Sequence, residues 1–270
     1  MPRILCLGGS TTEGGGVGHE CVKAWPCMLG QILEQETGRA FEVMNAGVSG
    51  WTTAETVAAW FLLLKDYRPD LVVIHHAVND SEPRTYPTFR TDYTHFRRVW
   101  ELPDPGALER RLIAWSDFYA WLAARRGPPT LGDAVTRERG GPPRLESGRL
   151  PAGTEGAYRR NVLSVALDAR RTGARVLLAT IPFDLDLEER DERSTRSWRA
   201  GLREHNQILR ELAAEHGFLL ADLEGRSREQ PERLGPHFTD LVHVDVEGKL
   251  IKASWVGLVL RDGWLPELAR

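Results

Sequence analysis

Ser10 stands in Gly8-Gly9-Ser10-Thr11-Thr12-Glu13-Gly14, directly after the apolar run Ile4 to Leu7, while Asp240 and His243 stand three residues apart in Asp240-Leu241-Val242-His243. A serine hydroxyl becomes a useful nucleophile at neutral pH only where an imidazole takes its proton and a carboxylate orients that imidazole. Ser10, His243 and Asp240 are therefore the candidate nucleophile, base and orienting acid of an acyl-transfer site. Such a site also needs donors aimed at the oxygen on which negative charge develops. The candidates for this oxyanion hole are the backbone N–H of Ser10, the backbone N–H of Gly50 in Asn45–Gly50, and the side-chain amide of Asn79 in Ala77-Val78-Asn79-Asp80. Glycine at 50 lets the backbone approach a substrate closely, and Asn79 offers two N–H donors without charge.

Other chemistries fit the same residues less well. A phosphate-cradling loop of the Walker type needs Gly-Lys-Ser/Thr, and no lysine precedes Lys23; the GxGxxG spacing fails because the third position from Gly8 is Ser10. His75 and His76 are neighbours in a strand pattern, so their side chains point to opposite faces and cannot easily share one ion. No metal and no cofactor are expected. The three cysteines, Cys6, Cys21 and Cys27, have no metal-ligand spacing, and Cys6 reads as a small core residue. No disulfide framework is expected, which suits a reducing compartment.

Composition narrows the partners. With 270 residues of which 41% are hydrophobic, the chain can bury a substantial core. A net charge of −3 on 27% charged residues gives no reason to expect nucleic acid or an anionic membrane. Of the 35 basic residues only four, Lys23, Lys65, Lys249 and Lys252, are lysine. The chain opens Met1-Pro2-Arg3 and enters a strand pattern at once, with no signal-peptide pattern and no apolar stretch long enough to span a bilayer. A cytoplasmic protein acting on a small molecule is the expectation; oligomeric state is not legible.

Positioning such residues requires rigid elements. Apolar β-branched runs alternate with longer amphipathic segments, which predicts an α/β fold with a parallel sheet covered by helices. Strands are predicted at Arg3–Leu7, Phe41–Asn45, Asp70–His76, Ala174–Thr180 and Phe218–Asp222. Helices are predicted at Ala24–Thr37, Thr53–Tyr67, Gly106–Arg126, Gly156–Thr172, Ser197–His216 and Val246–Leu260, with Gly38, Gly173 and Gly217 as stops. Ser10, Gly50 and Asn79 each fall just after a predicted strand, where open parallel sheets bind ligands. The alternation breaks between Ser81 and Gly153, a segment dense in aromatics (Tyr86, Phe89, Tyr93, Phe96, Trp100, Trp115, Phe118, Tyr119, Trp121) and then rich in Gly and Pro. It reads either as an inserted helical cap with a return loop or as a helix pair completing the core. One domain, residues 1–270, is expected, with 81–153 as the inserted segment.

Together these blocks resemble the SGNH (GDSL-type) hydrolase superfamily, in its GGST-type variant. The resemblance runs from Ile4 to about Leu260, through Ser10, Gly50, Asn79 and the Asp240/His243 pair in the family's order. It implies a flavodoxin-like three-layer α/β/α sandwich with a five-stranded parallel sheet, and ester hydrolysis without a metal. The function implied is a serine ester hydrolase, a carboxylesterase or O-deacetylase, working through an acyl-enzyme; an acyltransferase with the same triad and a non-catalytic binding protein are the alternatives. Three positions depart from the family pattern: Gly9 replaces the usual Asp, Ala77 replaces a Gly, and Val244 follows His243 in place of Pro. The first changes the loop's supporting hydrogen bonds, and the second puts a methyl group close to Asn79.

Overall fold

In the computed structural model, residues 1–14, 21–86, 89–97, 150–184 and 193–268 are described, with isolated positions between 111 and 119. Five strands, β1 (Arg3–Gly8), β2 (Glu42–Gly47), β3 (Leu71–His75), β4 (Arg175–Ala179) and β5 (Leu219–Ala221), form one parallel sheet in the order β2-β1-β3-β4-β5. The helices are α1 (Ser10–Glu13), α2 (Trp25–Thr37), α3 (Thr53–Leu62), α4 (Thr94–Arg97), α5 (Gly156–Arg171), α6 (Arg193–His216), α7 (Leu223–Glu229), α8 (Pro231–Leu234), α9 (Val246–Gly263) and α10 (Leu265–Leu268). The strands run nearly without polar interruption because both faces of the sheet are covered.

Strand parity assigns each side chain to a layer. Ile4, Cys6, Leu71 and Val73 pack on one face with Trp25 and Leu29 of α2 and Trp255, Val256 and Leu260 of α9. Leu5, Leu7, Val72 and Ile74 pack on the other with Trp60 of α3, Tyr158, Val162 and Val165 of α5, and Leu209 and Leu212 of α6. Each fully buried aliphatic side chain of this kind contributes on the order of 2 kcal/mol. The result is a three-layer α/β/α sandwich. The strand order reverses beside β1, so the loops leaving β1 and β3 open a crevice at the sheet's carboxyl edge.

Five predicted strands match five observed ones to within two residues at each end. Helix α3 ends at Leu62 and not at Tyr67: the chain tightens into a 3-10 turn over Leu64–Tyr67, and Arg68 adopts φ 50° just before Pro69, which cannot continue a helix. The helix predicted over Gly106–Arg126 lies mostly outside the described residues. Earlier in the aromatic segment Tyr86, Tyr93 and Phe96 are buried, whereas Trp115 and Phe118 are 87% and 69% exposed. The cysteine expectation needs correction: Cys21 and Cys27 are joined by a disulfide, their Cα atoms 5.8 Å apart across the entry to α2. The 3-10 turn over Cys21–Lys23 folds back onto the first turn of α2, bringing residues six apart within bridging range. The cysteines therefore supply no argument for a reducing compartment. Cys6 is free and buried.

Glycines set how closely α1 approaches the sheet. A Cβ on Gly47, the last residue of β2, would collide with the Glu13 amide nitrogen and stand 2.8 Å from the Thr12 carbonyl carbon. Gly47→Ala must push backbone against backbone, and is expected to cost about 1–3 kcal/mol of stability while displacing Ser10. Urea denaturation and esterase assays on the variant check both effects.

Candidate active site

Ser10 owes its place to two glycines and a ring of donors. Gly9 is extended (φ −91°, ψ −152°) and its carbonyl accepts the amides of Thr12 and Glu13 at 3.0 Å, so the chain turns from β1 straight into the four-residue helix α1. Gly14 ends that helix at φ 85°, a left-handed conformation that favours glycine. A helix this short leaves all but its first carbonyl, which accepts the Gly14 amide at 3.1 Å, without internal partners. Asn45 of β2 donates to the carbonyls of Thr12 (3.2 Å) and Glu13 (3.3 Å), Lys252 of α9 donates to that of Thr11 (3.3 Å), and Lys249 to that of Gly14 (2.6 Å). The Thr12 hydroxyl bonds His75 Nδ1 at 2.9 Å, pinning α1 to the end of β3.

His243 and Asp240 sit on a turn closed by an antiparallel bridge between Phe238 and Val244. The Thr239 amide donates to the His243 carbonyl and the Asp245 amide to the His237 carbonyl, both at 2.9 Å. Leu241 and Val242 plug this turn into an apolar cluster with Ala77, Val78, Ile181 and Phe183. Asp245 then caps α9 by accepting from the Gly248 amide at 2.9 Å. The imidazole is thereby held from both ends: Nδ1 lies 2.7 Å from Asp240 Oδ2, and Nε2 lies 2.8 Å from Ser10 Oγ. With Nδ1 facing a carboxylate, the proton belongs on Nδ1, which leaves Nε2 to accept from the serine hydroxyl. Asp240 Oδ1 also accepts the amides of Val242 (2.9 Å) and His243 (2.8 Å). The bond to His243, above all, holds the Asp240 carboxyl well below the usual carboxylate range; burial opposes it, and the two amide bonds add to the lowering.

The two loops carrying the remaining candidates meet beside Ser10. Gly50 is exposed and takes φ 75°, and the Asn79 amide donates to the Trp51 carbonyl at 2.8 Å, using one of its two N–H groups. A Cβ on Gly9 would stand 2.6 Å from Asn79 Nδ2, so the departure at Gly9 makes room for that amide. Asp80, the next residue, is buried and accepts the amide of Thr53 at 3.1 Å and its hydroxyl. Asn161 of α5 donates to the same hydroxyl at 3.1 Å. Asp80 and Thr53 thus lock the Asn79 loop to the Gly50–Thr52 loop. Ala77 is buried in the apolar cluster, and its carbonyl accepts from His205 Nδ1 at 2.7 Å. Val244 is buried and pairs in the bridge described above.

His75 and His76 project to opposite faces, bonding Thr12 and Thr56 (2.7 Å) respectively; burial first of all pushes both rings to low pKa, His76 to about 3. Sequence reasoning missed Asn45, Asp80, Asn161 and Lys252 as supports. Asn45 and Asp80 lie inside the quoted blocks, yet nothing in their spacing says which carbonyl or hydroxyl they reach. Among the described residues no group of three or more His, Cys, Asp or Glu side chains is arranged to hold a metal ion, and no helix is long and apolar enough to cross a membrane.

A parallel five-stranded sandwich with a serine–histidine–aspartate hydrogen-bond chain at the carboxyl ends of its strands has the α/β hydrolase-like architecture of SGNH proteins. The chain belongs to the GDSL-like lipase/acylhydrolase family, which it matches over residues 6–250. An arylesterase from Vibrio mimicus is 37% identical over 79 residues, which span 29% of this chain and 38% of that protein. Among solved structures, a catalytic mutant of an acetylxylan esterase from Geobacillus stearothermophilus superposes with a TM-score of 0.58 at 17% identity, covering 97% of this chain and 93% of that one. A lipase/acylhydrolase from Enterococcus faecalis does so with a TM-score of 0.57 at 16% identity, covering 97% and 96%.

Burial pushes the Asp80 carboxyl up to about 7, outweighing the bonds from Thr53 that favour its charged form. Between the ordinary carboxylate range and that value the folded chain keeps a proton that the unfolded chain has lost. The Asp80 contribution to stability therefore declines as pH rises through this window and is level above it. Asp80→Asn, which cannot ionise, removes the decline: stability of the variant relative to wild type is expected to rise from about pH 4 to about pH 8, as read by urea denaturation at a series of pH values.

Proposed function

We propose that this protein is a serine ester hydrolase that works through an acyl-enzyme on a small ester. The observation that carries the reading is the unbroken chain from Ser10 Oγ through the His243 ring to Asp240, with links of 2.8 and 2.7 Å. Ser10 attacks the acyl carbonyl as His243 Nε2 takes its proton. The Ser10 amide, the Gly50 amide and the Asn79 side chain hold the oxyanion, and Asp240 stabilises the imidazolium that forms. His243 then protonates the departing alcohol. Water attacks the acyl carbon as it gives a proton to His243, and His243 returns that proton to Ser10 Oγ as the bond to the acid breaks. Asn79 reaches the oxyanion with the N–H not used on Trp51, so the bond at 2.8 Å acts as its orienting anchor.

Family membership and the structural likeness to an acetylxylan esterase support ester bonds as the target and make acetyl esters the first to try. No observation favours the acyltransferase or the non-catalytic alternative over hydrolysis, and the intact serine–histidine–aspartate chain counts against the second.

A panel of p-nitrophenyl esters of increasing chain length beside acetylated sugars tests the reading on wild type and Ser10→Ala. Ser10→Ala is expected to fold and to lose about a thousand-fold or more in kcat/KM, and Asn79→Ala about a hundred-fold or more in kcat. Wild-type activity is expected to fall on acidification, because an imidazolium cannot accept the serine proton. Full activity in Ser10→Ala would end the proposal. Quantitative transfer of the acyl group to an added alcohol, with no free acid formed, would replace hydrolysis with acyl transfer.

A further inference from the structure

Two of the chain's four lysines, Lys249 and Lys252, stand one turn apart at the start of α9, and both line a cavity of about 310 Å³. Ser10 and His243 line the same cavity, with Ser49 and Thr239 as further polar walls. The positive charge is larger than the local structure needs. Each ammonium has three N–H groups, and each spends one on a carbonyl of the α1 segment, Lys249 on Gly14 at 2.6 Å and Lys252 on Thr11 at 3.3 Å. A neutral amide suffices for that work, as Asn45 demonstrates on the neighbouring carbonyls of Thr12 and Glu13.

No carboxylate among the described residues pairs with either lysine. Asp245, one turn before Lys249, favours the Lys249 ammonium only through its charge at a distance, because its oxygens are directed to His237 and to the Gly248 amide, and Glu13 bonds the Ser49 hydroxyl. Lys252 is only 1% exposed. A buried ammonium without a counter-charge is costly, and a bound anion removes that cost. Burial, and secondarily the Lys249 charge, push the Lys252 amine down to about 7, the response of a cation that has no partner in the free protein.

The cavity's position says which half of a substrate it meets. His243, which hands a proton to the departing oxygen, is in its wall, whereas the oxyanion donors Gly50 and Asn79 are not. We infer that this cavity receives a carboxylate on the alcohol half of the ester, with Lys249 and Lys252 supplying the charge that selects it. This inference rests on the Ser10 hydrolase reading and deepens it by naming a substrate class, esters of small carboxylate-bearing alcohols.

The test compares 3-carboxyphenyl acetate with the neutral 3-carbamoylphenyl acetate in wild type, Lys249→Gln and Lys252→Gln; glutamine keeps a donor for the α1 carbonyls and removes the charge. The ratio of kcat/KM for the carboxy ester over the amide ester is expected to fall about ten-fold or more in each variant. Equal losses on both esters would mean that the lysines only brace α1, and would overturn the inference. A second pair, mono-4-nitrophenyl succinate against 4-nitrophenyl butyrate, places the charge on the acyl half; a lysine-dependent preference confined to that pair would overturn the alcohol-side assignment. If Lys252→Gln fails to fold, Lys249→Gln decides alone, since Lys249 is not among the buried residues. A binding arm separates this inference from the hydrolase reading. Calorimetry of 3-hydroxybenzoate on Ser10→Ala is expected to show binding that Lys249→Gln weakens about ten-fold or more, even if Ser10 proves not to be the nucleophile. Failure to bind, or equal binding with and without Lys249, would overturn it.

Discussion

A single hydrogen bond across 233 residues of sequence, from His243 Nε2 to Ser10 Oγ at 2.8 Å, sets the condition that the fold has to satisfy. Neither partner can reach the other unless β1 and the loop before α9 end at the same edge of the sheet. Helix α9 packs against α2 on one face, burying Trp25, Leu29, Trp255, Val256 and Leu260 against β1 and β3. That apolar layer fixes α9, the Asp245 cap fixes its first turn, and the turn before it presents His243. Hydrophobic burial in the sandwich thus supplies the force, and backbone hydrogen bonds supply the aim.

Close approach is the second constraint. Gly8, Gly9 and Gly47 stand where a Cβ would strike Thr12, Asn79 or the α1 backbone. Three chain segments therefore converge on Ser10 more tightly than side chains would allow. In that crowded space every polar group needs a partner, and Asn45, Asp80, Asn161, Lys249 and Lys252 are the partners present. Asp80 is the most exposed to conflict, being a carboxyl in a dry position held by Thr53. Its replacement by the charge-free amide isolates how much of the local order is electrostatic.

The strands and most of the helices were readable along the chain because periodicity is a local signal. Ile4 to Leu7, Val72 to Ile74 and Val176 to Ala179 are apolar on both faces, the pattern of strands covered on both sides. Residue type and spacing singled out Ser10, Asp240 and His243, which the fold brings into one hydrogen-bond chain. What stayed hidden was the identity of partners across the fold: the pairing of Asn45 with α1, of Asp80 with Thr53, and of two lysines with the carbonyls beneath Ser10. Such contacts depend on tertiary geometry that no window of sequence contains. The Cys21–Cys27 bridge escaped for a related reason, since an odd cysteine count hid a pair that the turn into α2 brings together. The end of α3 was misjudged because Leu62 and Leu63 continue the apolar run although both are exposed.

The most direct measurement of the central claim is covalent capture of Ser10 by a fluorophosphonate, in which the serine oxygen displaces fluoride from phosphorus. Peptide mass spectrometry is expected to find one adduct, on the peptide holding Ser10, formed about a hundred-fold or more slowly in His243→Ala. An adduct elsewhere in the chain, or equal rates with and without the imidazole, would contradict the account.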